Sequence, residues 1–418
     1  MKKPNVILVT SHDTGTHFGC CGDRSVKTPN IDRIASQGAL FTDNFCTTPL
    51  CSPSRGSIIT GRYPVSNGLM GLVNRGWDMP DTERSLPHYL EDAGYSTYLF
   101  GFQHERTDPA KSGYENIART NGVLCREVID AAAQFVSERK DKKPFFAAIG
   151  FFETHLPFNN TRYKGADPEK VWVPPYLVDC PEIRSEVAKF HGLVREVDDN
   201  AGKLADAVKK AGLEENTVFI YTVDHGIGFP GAKSTLYDPG IKTAFMVKWP
   251  AVIPEGTVIS RLTSNIDLLP TLLDLLDIPA DRSIQGRSLV PLFNCHCDPD
   301  AVSGEAIYAQ KDWHDCYDPK RCVRTREFKY IRNFEKGPML VLPEDILNSP
   351  AAKHVHERFK GQRPAEELYD LKKDPDEFNN VAQDPGYAQA KKQLRASLDS
   401  WMLENNDYLR GMIVTSNK

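Results

Sequence analysis

Residues 51–62 read CSPSRGSIITGR. A cysteine sits two positions before a proline, and Arg55 follows four residues after it. Cys51 can be a structural thiol, a metal ligand or the precursor of something more reactive. Arg55 is either an ordinary surface charge or a cation spaced to hold the group at 51 and a neighbouring oxyanion. Two carboxylates stand in matching places: Asp13 just beyond the apolar run NVILVTS, and Asp224 just beyond TVFIYTV. Each has a histidine beside it, His12 and His225. Carboxylates converging from separate strands suit a hard divalent cation. Two such ends, taken with Cys51, favour a metal over the plainer reading that polar residues end strands. His104 in FGFQHER and His155 in FFETHLPF both follow apolar runs, where a histidine serves either structure or proton transfer. Lys233 lies in FPGAKSTLYDPG, a loop bounded by Gly and Pro, either on the surface or aimed at an anion.

The elements that must position these residues follow from the hydrophobic pattern. NVILVTS, PFFAAIGFF and TVFIYTV are continuous apolar runs, as buried strands of an α/β sheet are. TPNIDRIASQGALF carries caps at Thr28 and Asn30 and a stop at Gly38. SLPHYLEDAGYSTYLFG predicts a helix closed by Gly94 and then a strand. A long helix is predicted from about 182 to 211, ended by Gly212, and NIDLLPTLLDLLDI predicts another. Strand and helix alternate, so a sheet covered on both faces is expected, with the chemistry at the strands' carboxyl ends. Beyond about residue 300 the texture becomes short strands with turns and a final amphipathic helix. The division expected is a catalytic domain over 1–300 and a smaller α+β subdomain with a short antiparallel sheet over 301–418. Residues 335–364, with scattered Pro and Gly, read as a long loop or insertion.

These residues carry a resemblance. CSPSR followed by GSIITGR is similar to the sulfatase signature C-x-P-S-R-x-x-x-L-T-G, with Ile59 in place of Leu. PNVILVTSHD, TVDHG and GAKSTLYDPG resemble that family's opening strand, second metal motif and lysine loop. The likeness runs on through IDLLPTLLDLLDI, GRSLVPLF and ELYDLKKDPDEFNNVAQDP, and so covers nearly the whole chain. Within the family it is greatest to the heparan N-sulfatases, or sulfamidases, in SNGLMGLVNRGWDM and RSLPHYLEDAG. The resemblance implies the alkaline-phosphatase-like fold, a large mixed sheet with helices on both faces. It implies hydrolysis of a sulfate ester or sulfamate on a sugar, with N-sulfoglucosamine as a candidate. It implies that a maturation enzyme oxidises Cys51 to formylglycine, whose hydrate attacks sulfur and later expels free sulfate. Asp13, Asp224 and His225 would then hold one divalent metal next to Cys51, with His12 as a fourth ligand. Arg55 would orient the hydrate and Lys233 would neutralise sulfate oxygens. His104 would take the proton that drives release, and His155 would protonate the leaving group. Calcium is the ion the family implies; manganese and magnesium are the alternatives.

Three departures stand out. His12 replaces the first aspartate of the expected pair. His225 replaces the asparagine after Asp224, a form that resembles phosphonate and phosphodiester hydrolases of the same superfamily. Phe102 stands where sulfatases place a lysine. Two alternative functions follow: a phosphonate or phosphate-ester hydrolase, and a non-catalytic relative that binds sulfated glycans. Substrate choice is expected from AQKDWHDCYDPKR, where Trp313 would stack on a sugar face while His314 and Asp315 bond its hydroxyls.

Composition sets the bounds. The 418 residues allow two or three domains, or one large domain with an appendage. A net charge of −5, with both signs interspersed, argues against a nucleic-acid partner. No apolar run reaches about 18 residues, so no membrane partner is expected. The opening MKKPNVILVTSHD lacks a signal-peptide pattern, so the chain reads as cytoplasmic as it stands, or periplasmic if an export signal was removed. The pattern also admits a homodimer. Ten scattered cysteines argue against a dense disulfide framework. Cys316 and Cys322 could bridge, but free thiols are the default in a reducing compartment, and CHC at 295–297 lacks the second pair a structural zinc site needs.

Overall fold

A computed structural model of the chain describes residues 3–159, 163–293 and 306–412. Among the described residues, ten strands precede residue 300: β1 (Asn5–Ser11), β2 (Ala39–Phe41), β3 (Asn44–Phe45), β4 (Ser96–Gly101), β5 (Asn116–Ala118), β6 (Phe145–Gly150), β7 (Thr217–Val223), β8 (Phe245–Lys248), β9 (Thr257–Ile259) and β10 (Thr263–Ser264). Eight of them form one sheet in the order β5-β4-β6-β1-β7-β8-β2-β9, and β3 pairs with β10 beside it. Only β8 runs against its neighbours, so the sheet is mixed. β1 and β7 lie side by side at the centre, in parallel register from Asn5↔Thr217 to Ser11↔Val223.

Both central strands are buried along their whole length, which is why they read as continuous apolar runs. Successive side chains of β1 alternate between two cores. Ile7 and Val9 join one, with the helices Cys125–Glu138 and Pro181–Lys210 and with helix α1 (Pro29–Ser36). Val6 and Leu8 join the other, with the helices Leu86–Asp92 and Leu268–Leu275 and with helix α2 (Cys51–Thr60). A single sheet thus organises two apolar layers, and its parallel strands deliver their carboxyl ends to one edge.

Beyond residue 305 come β11 (Ala306–Trp313), β12 (Tyr317–Thr325), β13 (Phe328–Asn333) and β14 (Glu366–Asp370), an antiparallel sheet in that order. One face, through Ile307, Cys322, Ile331 and Tyr369, packs into the first core of the large sheet. The other face, through Val323, Tyr330 and Leu368, is covered by Leu398, Trp401 and Met402 of the helix Ala388–Glu404. The stretch 335–364 is mostly loop, as expected, but contains the short helix Glu344–Leu347. The expected boundary at 300/301 and the CHC tripeptide lie outside the described residues. Every described cysteine, including Cys316 and Cys322, is a free thiol. No helix among the described residues is long and apolar enough to cross a membrane.

Candidate active site

β1 and β7 are neighbours, so the residues that follow them meet. Asp13 donates its backbone N–H to Asp224 Oδ1 at 2.9 Å, and His225 donates its own to the same oxygen at 2.8 Å. Asp13 has a φ of 51°, in the left-handed region that aspartate enters more readily than most residues. Gly226 lets this turn close: a Cβ there would lie 1.9 Å from the Pro239 carbonyl oxygen.

α2 supplies the next pair. It is buried on every side although its sequence is polar. Such a helix must satisfy its polar side chains internally. Ser54 Oγ donates to the Asp224 carbonyl at 2.5 Å and Thr60 Oγ1 to the Gly56 carbonyl at 2.7 Å, while Thr47 Oγ1 donates to Ser57 Oγ at 2.8 Å. Cys51 is the first residue of this helix, and Arg55, four residues on, shares its face. Cys51 Sγ lies 3.2 Å from His225 Nε2 and 3.8 Å from Asp13 Oδ1. Arg55 Nε donates to Asp224 Oδ2 at 3.0 Å. Burial pushes the Cys51 thiol pKa well above its usual range; Lys233 opposes this, and the carboxylates of Asp13 and Asp224 add to it. The unmodified side chain is therefore a protonated thiol and a poor nucleophile.

His12, Asp13, Cys51, Asp224 and His225 each offer one donor atom, and these atoms lie within 4.8 Å of one another. His12 Nε2 stands 3.4 Å from Asp13 Oδ1 and 3.5 Å from Asp224 Oδ2, and His225 Nε2 stands 3.2 Å from Asp13 Oδ1. Neither ring nitrogen of the buried His12 has a hydrogen-bond partner. Burial holds that imidazole neutral, although Asp13 pulls its pKa upward. Converging carboxylates, a neutral unpartnered imidazole and donor separations of this size fit a divalent cation.

Lys233 is fully buried and closes the opposite side. Its Nζ donates to Asp13 Oδ2 at 2.7 Å and to Asp345 Oδ2 at 2.6 Å, and lies 3.1 Å from His155 Nε2. Burial alone would raise the Asp13 pKa, but Lys233 and then His225 outweigh it and hold the carboxylate charged. His155 Nδ1 lies 2.6 Å from the Leu156 carbonyl, which places the proton on Nδ1 and leaves Nε2 an acceptor. Burial, and then the Lys233 charge, lower the His155 pKa. Burial, with Arg55 and Lys233 behind it, lowers that of His104 to about 3, so His104 is a neutral base at pH 7.

The sequence did not indicate Asp345. It lies 112 residues from Lys233, in a stretch read as loop, and no local pattern marks its partner. Phe102 has a defined place as well. It stacks on His12 at 5.1 Å and lies under the Arg55 guanidinium, 5.2 Å from ring centre to charge. Trp313 is 36% exposed and packs on Tyr317 and Trp77. Asp315 commits its carboxylate within the protein, to Arg75 at 2.9 Å, His314 Nδ1 at 2.8 Å and the Glu344 backbone N–H at 2.6 Å. Burial lowers the His314 pKa, and Lys233 and Asp345 also act on it, so His314 stands within electrostatic reach of the centre.

A family model described as Sulfatase matches residues 4–278, and one described as N-sulphoglucosamine sulphohydrolase, C-terminal, matches residues 231–351. The chain is 28% identical over 421 residues to an ulvan-active sulfatase of Formosa agariphila, covering 98% of this chain and 82% of that protein. It is 27% identical over 464 residues to human N-sulphoglucosamine sulphohydrolase, covering 96% and 90%. Among solved structures, one in complex with its substrate D-glucosamine-2-N,6-O-disulfate superposes with a TM-score of 0.77 at 21% identity, over 98% of this chain and 99% of that one. The phosphonate monoester hydrolase of Agrobacterium radiobacter gives 0.75 at 21%, over 96% of each.

Proposed function

The chain belongs to the sulfatase family, and we propose that the cluster around Cys51 is the active site through which it removes sulfate from a sugar, with N-sulfoglucosamine the first substrate to test. Membership makes the chain a hydrolase of sulfate esters or sulfamates, and the family implies a divalent metal and a formylglycine. The C-terminal match and the sugar substrates named for its relatives support the choice of substrate. The observation that carries the reading is a single buried group: Cys51, the four residues His12, Asp13, Asp224 and His225, and the Lys233 ammonium.

A cation held by Asp13, Asp224, His12 and His225 would supply Lewis acidity to the group at position 51 and to a sulfate oxygen. An aldehyde at 51 would supply, once hydrated, both a nucleophile and a route for releasing sulfate. The other tasks fall to side chains already in place. Arg55, fixed by Asp224 and packed on Phe102, orients the group at 51 and provides positive charge where the family's lysine is missing. Lys233 neutralises negative charge as it grows on the sulfate oxygens. His104, neutral at working pH, accepts the proton whose loss drives release. His155, its Nδ1 proton held by the Leu156 carbonyl, delivers to the leaving nitrogen or oxygen a proton that Nε2 has taken up from solvent, while Lys233, 3.1 Å away, stays charged. Trp313 and His314 border the sugar, with Asp315 holding His314 in place.

Two imidazoles beside two carboxylates favour an ion that takes nitrogen as readily as oxygen. That ranks manganese ahead of the calcium the family implies. Metal-free protein reloaded with calcium, magnesium or manganese gives the order directly.

The deciding experiment uses protein co-expressed with a formylglycine-generating enzyme. Its intact mass should fall by about 18 Da relative to the unmodified thiol. It should release sulfate from defined heparin disaccharides carrying a terminal N-sulfoglucosamine. Matured protein that desulfates no heparin or chondroitin disaccharide would end the sugar-sulfatase reading. His225, 3.2 Å from Cys51 Sγ, favours a second reading as a phosphonate or phosphate-ester hydrolase. Parallel assays on 4-nitrophenyl sulfate, phosphate and phosphonate esters separate the two.

A further inference from the structure

A second group of donor side chains lies outside the site described above. The segment after β1 carries His17 and Asp23, and the helix Pro181–Lys210 carries His191 against them. His17 Nδ1 is 2.8 Å from Asp23 Oδ2, and His191 Nε2 is 3.8 Å from the same oxygen. All three offer donor atoms within 4.8 Å of one another, and the group shares no residue with the cluster around Cys51. We propose that His17, Asp23 and His191 form a second divalent-metal site of the zinc type.

Three observations carry this. First, His191 is 1% exposed, its Nδ1 has no hydrogen-bond partner, and its Nε2 faces Asp23 from beyond hydrogen-bond distance. A buried imidazole left this way has unmet bonding capacity, which an ion would take up at Nε2. Second, the carboxylate is aimed. Asp23 Oδ1 accepts from both the Ser25 backbone N–H and Ser25 Oγ at 2.9 Å, which turns Oδ2 towards the two imidazoles. Hydrogen bonds of this kind orient metal ligands and fix their direction. Third, the separations suit a small ion. Ligands about 2.0 Å from a tetrahedral zinc are about 3.3 Å apart. The His191 Nε2–Asp23 Oδ2 separation of 3.8 Å lies near that value, and the 2.8 Å contact of His17 Nδ1 with Asp23 Oδ2 is a hydrogen bond whose proton an ion would displace. His17 also lines a cavity of about 370 Å³ with Thr16, Trp172 and Tyr176, which opens that ligand to solvent.

Two imidazoles and one carboxylate select a borderline ion such as zinc over calcium. The ion would pin the loop that leaves Asp13 to the longest helix of the large domain. It would thereby hold the backbone of the catalytic cluster from behind, without touching substrate.

The test uses full-length protein and cobalt(II) as a visible probe, with zinc as competitor. The variant His225→Ala removes a nitrogen donor of the catalytic cluster and so separates the two sites. The expected result is four-coordinate cobalt absorption that persists as one equivalent in His225→Ala and is displaced by zinc, any further equivalent in the native protein belonging to the cluster around Cys51. His17→Ala and His191→Gln should weaken that binding at least about tenfold. His17 is partly exposed, so its variant carries the test even where His191→Gln fails to fold. A zinc-dependent rise in melting temperature, present in His225→Ala and absent once His17→Ala is added to that variant, gives an independent reading. Cobalt absorption that survives His17→Ala but disappears in His225→Ala, or no such absorption in the folded native protein, overturns the proposal.

Discussion

At position 51 the fold places a thiol that cannot act as a thiolate. Burial keeps it protonated, and His225 and Asp13 crowd it from two sides. Replacing Cys51 with Ala should abolish turnover while the protein still binds its sulfated sugar, as steady-state assay and calorimetry on one sample would report. Lys233 matters differently, because in the role proposed for it the ammonium cancels charge that grows during the reaction. Lys233→Ala should lower kcat by about 10²–10³ with formylglycine still formed, checked by intact mass alongside kinetics. Residues in contiguous motifs were legible in the sequence: Cys51 with Arg55, and the two carboxylates that end apolar runs. Asp345 was not, since it pairs with Lys233 only after 112 residues of chain have folded between them. The part played by Phe102 was also hidden. A sequence shows a missing lysine there, but not that the ring lies under Arg55 and against His12.

At the scale of elements, two connections hold the site's geometry. The first is the turn after β7. A methyl group at Gly226 would meet the Pro239 carbonyl oxygen at 1.9 Å, so Gly226→Ala must displace backbone beside Asp224 and His225. The expected cost is at least about 2 kcal/mol in denaturant melts, with kcat reduced more than KM is raised. The second is the approach to the helix Leu268–Leu275. There Asp267 accepts from the backbone N–H groups of Ser264 and Arg287, each at 2.8 Å. Burial nevertheless pushes its pKa up to about 6 from 3.8. The folded state therefore keeps the proton to a higher pH than the unfolded chain does. Stability from this group is present at low pH and lost as pH rises from 3.8 to about 6. Asp267→Asn is neutral throughout, so it should gain on the native protein by up to about 3 kcal/mol across that window, read from melts at stepped pH. The strands and the longer helices were legible because their periods are clean and Gly94 and Gly212 punctuate them. Helix α2 was legible only as a motif, since a polar helix buried on all sides has no amphipathic stripe to read.

At the scale of the whole molecule, the C-terminal sheet and its loops complete the site built by the large one. Asp345 reaches across to the Lys233 ammonium at 2.6 Å and to His155 Nε2 at 3.3 Å. A carboxylate in that place competes with any anion that needs Lys233. Asp345→Asn should therefore strengthen inhibition by the product, inorganic sulfate, with a Ki lowered about tenfold; an unchanged or higher Ki would exclude such competition. The sequence by itself determined the alternation of strands and helices, the family, and the chemistry available at 13, 51, 224 and 233. Those features are local: each is a run of apolar residues, or a short motif whose members are neighbours in the chain. Tertiary structure decided which residues share the centre, that Phe102 lies beneath Arg55, and that the short helix Glu344–Leu347 sets a carboxylate on the Lys233 ammonium. Such pairings depend on the sheet order that places β1 beside β7 and on the second sheet packing into the same core. Neither is encoded in any single stretch of sequence, because each arises only when apolar surfaces distant in the chain are buried against one another.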